Sequence, residues 1–160
     1  MSYDVRSLLR SDALRALEAY WRSKMHGQDL PARRDIDPWE MRSFLPQVFL
    51  ITVTRNPMRF WFRLVGTGVA EGYGEDMSGK YLDEIDLDEL HENILEDYER
   101  AVISAQPVYS QCDYFRKDHK HLCYERLLLP LSSDGKTVDM LLGGAVLIEK
   151  DRLGEQSDRV

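Results

Sequence analysis

The stretch FWFRLVGTGVAEGYGEDMSGKYLDEI, Phe60 to Ile85, begins as an alternating run and then breaks at Gly66, Gly68, Gly72, Gly74 and Gly79. In its first part Phe60, Phe62 and Leu64 take one side of an extended chain, and Trp61, Arg63 and Val65 the other, which is the period of a strand. The glycines permit left-handed and crowded backbone and weaken a helix, so residues 66–80 are predicted to form short helical turns and loops. Val69, Ala70, Tyr73, Met77, Tyr81, Leu82 and Ile85 thread apolar side chains through this irregular run. A loosely wound, partly apolar connection lying over a sheet leaves room for a cavity. Gly66-Thr67-Gly68 imitates the start of a dinucleotide fingerprint, but Glu71 occupies the third small position, and Gly72 and Gly74 break the helix that pyrophosphate would need.

The chain has 160 residues, 43% of them hydrophobic, enough for one domain with a real core. A net charge of −7 and a pI near 5.1 argue against a nucleic-acid partner, which calls for a basic face. The amino terminus MSYDVRSLLRSD lacks the apolar core of a signal peptide, and no later run approaches a membrane span, so a cytoplasmic location with no membrane partner is expected. Two cysteines, Cys112 and Cys123, are compatible with a reducing compartment.

Leu14, Leu17, Trp21 and Met25 recur at helical steps, predicting an amphipathic helix over Ser11–Met25. Its stripe either packs on its own domain or sits on an exposed sheet face and helps to form a dimer. His26-Gly27 ends that helix. Asp37, Pro38 and Glu40 specify a short helix from Pro38 to Phe44 with a capping box, stopped by Pro46. Gln47–Thr54 and Met58–Val65 read as a hairpin turned by Asn56-Pro57. Asp86 and Glu89 suggest a second capping box, and Leu90, Ile94, Tyr98, Ala101, Val102 and Ala105 trace one face of a long helix ending before Pro107. Val108–Phe115, His121–Leu131 and Val138–Glu149 read as three further strands, joined by turns at Lys117-Asp118-His119 and Ser133-Asp134-Gly135-Lys136. Residues from 150 onward form a polar tail. In the last strand Met140, Leu142, Val146 and Ile148 face one way and Leu141, Ala145 and Leu147 the other; a sheet apolar on both faces needs two covers.

The ordered set Gly66, Glu71, Gly74, Asp76, Gly79, Leu82 and Glu84 resembles the centre of a PAS domain. With DIDPWEMRSFLPQVFLITV before it and ERLLLPLSSDGKTVDMLLGG after it, the chain is more specifically similar to a bacterial subfamily of small, single-domain PAS proteins, over roughly residues 18–149. The resemblance implies an α+β fold with a five-stranded antiparallel sheet, helices over one face and an added amino-terminal helix. Residues 1–27 would be that helix, 28–149 the PAS domain and 150–160 the tail. It also implies a sensory or regulatory module that acts on another protein, such as a kinase or regulator, and is expected to form a homodimer. A small apolar or aromatic ligand would enter between sheet and long helix, touching Phe62, Leu64, Tyr73, Leu82, Tyr98, Val102, Leu127 and Met140. The rival is a constitutive scaffold with a solid core and no ligand.

Other constellations are weaker. His119, His121 and Cys123 share a strand parity, and a turn about Lys117 and Asp118 would set Cys112 opposite Cys123; small buried hydrophobes beside exposed histidines explain these positions more economically than a metal or redox pair. His91 stands on the helix that carries the axial ligand in haem-binding PAS proteins, but a lone histidine is not enough to hold haem. Flavin photochemistry is disfavoured because the Asn-Cys-Arg motif of the photoactive branch has no match. Asp83, Glu84, Asp86, Asp88 and Glu89 are explained by helix-start preference. Glu125 and Arg126 fall on opposite faces of their strand and should find different partners, one of them orienting a ligand or a backbone segment. No catalytic pairing appears at a defensible spacing, so no enzyme activity is expected.

Overall fold

The computed structural model describes residues 4–85, 91–115 and 121–148. The β-branched and aromatic run after Pro46 forms β1 (Val48–Thr54), and the chain turns back at Asn56-Pro57 into β2 (Arg59–Val65). The glycine-rich stretch holds α2 (Thr67–Tyr73), closed by Gly74 at φ +88°, and is followed by α3 (His91–Ser104). β3 (Val108–Phe115), β4 (His121–Leu131) and β5 (Met140–Ile148) complete an antiparallel sheet in the order β2-β1-β5-β4-β3. The first and last strands therefore lie side by side. The outer edge of β2 is covered by the chain that follows α2: Gly79 N–H donates to Phe62 O, and Phe62 N–H to Lys80 O, each at 2.8 Å.

Strand register sorts the side chains onto two faces. Phe49, Ile51, Arg126, Leu128, Leu141, Gly143 and Ala145 share the face that carries α2 and α3. Val48, Leu50, Leu127, Leu129, Leu142 and Gly144 share the other. The two covers expected from β5 are both supplied by this chain. On the second face lies α1 (Asp12–Ser23), capped by Ser11 Oγ accepting from Leu14 N–H at 3.2 Å. Leu14, Leu17 and Trp21 are buried there, and Trp21 Nε1 donates to Pro130 O at 2.8 Å.

The segment after α1 extends the same layer. Leu30 N–H donates to Gly135 O, and Ser132 N–H to Pro31 O. The predicted helix from Pro38 is a single 3₁₀ turn, Pro38–Met41, with Asp37 capping Trp39 N–H. Glu40 does not complete a capping box. Its carboxylate accepts from Tyr20 Oη at 2.9 Å and Lys24 Nζ at 3.4 Å, while Asp37 N–H donates to Tyr20 Oη at 2.8 Å. A bond expected within one turn is spent tying that turn to α1, because Tyr20 offers a partner in both directions.

A β-bulge corrects the reading of β2. Leu50 pairs with Leu64 but Ile51 with Phe62, leaving Arg63 as the extra residue. Phe60, Phe62 and Val65 thus share the α3 face, and Leu64 turns to the opposite one, since an inserted residue flips the alternation beyond it. The capping box at Asp86 and Glu89, the turn at Lys117-Asp118-His119 and the tail from 150 lie outside the described residues.

Gly143 and Gly144 sit in the middle of β5 with a layer pressing on each. A Cβ at Gly143 would stand 2.2 Å from the Phe49 ring, and one at Gly144 would stand 2.6 Å from the Cδ2 atoms of Leu14 and Leu17. Gly144→Val is expected to lower stability by about 2 kcal/mol through overpacking, and hydrogen exchange should show the loosening in α1 rather than α3.

The loop into β5 is held by Asp134, whose Oδ1 accepts from Ser132 Oγ at 2.7 Å, Lys136 N–H at 2.8 Å and Thr137 N–H at 2.7 Å. The two backbone donors, and then the Ser132 hydroxyl, hold its carboxyl far below the usual carboxylate range. A depressed folded pKa gives stability that is present above the ordinary carboxylate pKa of about 4 and is lost as pH falls below it. Asp134→Ala should lower the melting temperature at neutral pH and flatten its decline under acid.

Candidate functional site

The space between α3 and the sheet is filled by rings. Tyr98 of α3 meets Phe60 edge-on at 5.3 Å between centroids and stacks on Phe49 at 6.5 Å; Phe49 lies 5.9 Å from Phe62. All four are buried. Offset and edge-to-face pairs of this kind pack closely.

Of the eight residues proposed to line a ligand site, Phe62, Leu82, Tyr98 and Val102 are buried in one core, and Tyr73 packs against it from α2. Leu64, Leu127 and Met140 are on the opposite face of the sheet from α3. Leu64 is placed there by the bulge and is 47% exposed. Leu127 is packed on the α1 side together with Leu129, while Leu128 points to α3. Every residue from Tyr124 to Leu131 is buried, so no alternation of polar and apolar residues marks which of these leucines faces which helix.

Among the described residues, one opening on the α3 side lies beneath α2. Gly68, Val69, Gly72, Tyr73, Tyr124, Ala145, Val146 and Leu147 line an apolar cleft of about 20 Å³, the size of one water molecule. Tyr73 closes on Tyr124 at 5.4 Å with the rings 71° apart. α2 is held close by its glycines: a Cβ at Gly66 would stand 2.5 Å from Pro46 O, and one at Gly68 would stand 2.9 Å from the same oxygen.

Behind Tyr124 stands Arg126, 1% exposed. Its Nη2 donates to Asp97 Oδ2 at 2.8 Å, its Nη1 to Tyr124 Oη at 3.5 Å, and its guanidinium lies 5.5 Å from the Tyr98 ring centroid. Asp97 also accepts from Ser110 Oγ and pairs with Arg100 at 3.2 Å. The cluster bolts α3 to β3 and β4 through a buried ion pair. One residue earlier, Glu125 faces the other layer as expected and orients a backbone segment, accepting from Arg10 N–H at 3.0 Å. Tyr109 beside it has its hydroxyl pKa raised, first by burial and further by the Glu125 charge. Asp97 and Tyr124 escaped the sequence reading, although Asp97 carries a signal: it lies three residues after Ile94 and four before Ala101, an acid inside an apolar stripe.

The cysteine pairing is corrected by register. Cys112 pairs with Tyr124 and Cys123 with Asp113, so the two cysteine positions have opposite parity in the sheet. Among the described residues no group of three or more His, Cys, Asp or Glu could hold a metal ion, and no helix is long and apolar enough to cross a membrane. His119 and the side chains of His91 and His121 lie outside the described residues.

An antiparallel sheet in this strand order, with short helices and one long helix on one face, is the α+β architecture of the PAS fold. The chain belongs to the PAS domain family, whose model matches residues 9–146. In fold it is similar to a Rhodobacter sphaeroides LOV protein, 11% identical with a TM-score of 0.54, covering 70% of this chain and 64% of that one. It is similar also to the PAS domain of a Colwellia psychrerythraea protein, 16% identical with a TM-score of 0.52, covering 71% of this chain and 99% of that one. A LOV domain from an Erythrobacter litoralis blue-light activated histidine kinase is 12% identical with a TM-score of 0.51, covering 64% of this chain and 94% of that one. At these identities the likeness is one of fold. The chain spans just under two thirds of the Rhodobacter protein. No curated protein sequence matches it.

Removing one partner of the ion pair strands the other charge in the core. Asp97→Ala should cost about 3–5 kcal/mol in urea unfolding, whereas replacing both partners, Asp97→Leu with Arg126→Met, should fall within about 1 kcal/mol of the parent.

Proposed function

We propose that this chain is a non-catalytic regulatory PAS module of the cytoplasm that works by contact with another signalling protein, a kinase or regulator, rather than by capture of a metabolite. The observation that carries this reading is the interior: Phe49, Phe60, Phe62 and Tyr98 occupy the space between α3 and the sheet, and the cleft under α2 is water-sized. Adjacent residues of β4 supply a route for a signal. Glu125 holds the segment before α1, and Arg126 holds α3, so a partner that displaces the α1 layer acts on β4 and through it on α3. Such a contact matters to the degree that it favours one arrangement of the two layers over another.

A second reading, small-molecule sensing, has one feature in its favour. The cleft ends on Tyr73, half-buried and carried by a short glycine-rich helix, and beyond Tyr124 it leads to the Arg126–Asp97 pair. A flat apolar ligand would have to displace Tyr73 to enter. Mass spectrometry of the purified chain under native and then denaturing conditions separates the two readings. A native mass that is a whole multiple of the bare 18.7 kDa chain, with nothing shed on denaturation, is expected; a small molecule carried natively and shed on denaturation would replace the contact reading with the sensing one.

A further inference from the structure

The two edges of the sheet differ. β2 is covered on its outer side by Gly79 and Lys80 and by a bridge between Trp61 and Tyr81. β3, at the other end of the strand order, is bonded along one side only among the described residues, to β4. Alternate N–H and C=O groups of Val108–Phe115 therefore point outward with no backbone partner among those residues.

Edge strands are ordinarily blunted by a lysine, a proline, a bulge or brevity. The run VYSQCDYF has none of these: its 8 residues pair with β4 without a shift of register, from Val108 opposite Leu128 to Phe115 opposite His121, and Asp113 is its one charged residue. The strand is also held stiff. Ser110 Oγ donates to Asp97, and Gln111 Nε2 donates to Tyr109 Oη at 3.1 Å, so pairing requires little further ordering. In a chain of net charge −7, a strand with a single acid is a place where a second copy can approach.

We propose that β3 of one copy of this chain pairs antiparallel with β3 of a second copy, about a two-fold axis that passes at Cys112, so that the two five-stranded sheets become one. An axis normal to the sheet keeps the faces of the two copies in common, so paired residues share one parity and one residue lies opposite itself. Placed at Asp113, the axis would set two carboxylates against each other. Placed at Gln111, it would set Asp113 opposite Tyr109, whose hydroxyl is already engaged by Gln111 and Glu125. At Cys112 it sets Asp113 opposite Gln111, whose amide has a second N–H to donate, and Tyr109 opposite Phe115. Because the β2 edge is covered, association closes at the dimer. The contact uses a different surface from the α1 layer and holds with or without a signalling partner.

In sedimentation velocity the mass of the full chain should rise with concentration from one chain to two and no further, and more readily in roughly 0.5 M salt, where the net charge is screened. Opposed Cα atoms of an antiparallel pair stand about 4.5–5.5 Å apart, inside the roughly 4.4–6.8 Å span of a disulfide, so diamide should link Cys112 to Cys112 in a covalent dimer. Cys112→Ser should abolish that link and Cys123→Ser retain it. Cys112→Asp and Cys112→Lys each set like charges on the axis and should weaken association about 5-fold, while an equimolar mixture of the two should recover it. Melting temperatures show whether these variants fold, and cross-linking of the parent chain decides the matter if one does not. A chain that stays monomeric at every concentration overturns the proposal and leaves the edge to a strand of another protein. A dimer that links through Cys123 instead, or that is indifferent to the charge at position 112, overturns it by placing the second copy elsewhere.

Discussion

Two neighbouring residues without side chains, Gly143 and Gly144, let one strand serve two cores. Successive residues of a strand point to opposite faces, so adjacent glycines open a gap on each side at the same level of β5. Phe49 crosses the gap on one face, and Leu14 and Leu17 drop into it on the other. Both helical layers thereby approach the sheet at its centre, where β5 lies between β1 and β4. Strands that are buried on both sides lose the polar alternation that usually orients a sheet, and their orientation must come from the way the two layers fit.

The polar groups inside this sandwich follow the same division. Glu125 and Arg126 are both about 1% exposed, and each finds its partner in a different layer: the backbone before α1 for the glutamate, Asp97 of α3 for the arginine. Buried charges survive only when paired and hydrogen-bonded. β4 thus carries one polar anchor to each cover, and the two anchors are one residue apart along the same rigid strand. The third layer of connections, from Tyr20 to Asp37 and Glu40, keeps the Pro38–Met41 turn on α1.

The packing of the described residues around α2 differs from what the irregular glycine-rich connection suggests. That connection does lie over the sheet, but Gly66 and Gly68 bring α2 against Pro46, and Tyr73 swings onto Tyr124, so looseness in sequence becomes close approach in space. At Gly66 and Gly68 the missing side chain is what permits these contacts. The conformational freedom is used at the helix end, where Gly74 takes the left-handed conformation that a side chain would resist.

Local pattern alone determined the elements and their class: the strand of β1, the helix from Ser11, the turn at Asn56-Pro57, the turn at Ser133-Asp134-Gly135-Lys136 and the need for covers on both faces of β5 are all written in periodicity and turn chemistry. The resemblance to PAS domains carried the five-stranded antiparallel sheet with it. Which leucine of Tyr124–Leu131 faces which helix was decided only by tertiary structure, because in a run buried on both sides neither parity is marked by polarity. The same holds for Leu64, whose face is set by one bulged residue opposite β1, and for the pairing of Cys112, where a single step of register changes the partner. Arg126 and Glu125 could be seen to part, but their partners, Asp97 and the Arg10 backbone, are separated from them by 29 and 115 residues and were brought close by the fold. Sequence fixes what each segment buries; the contacts that choose between equally apolar faces exist only once the layers have met.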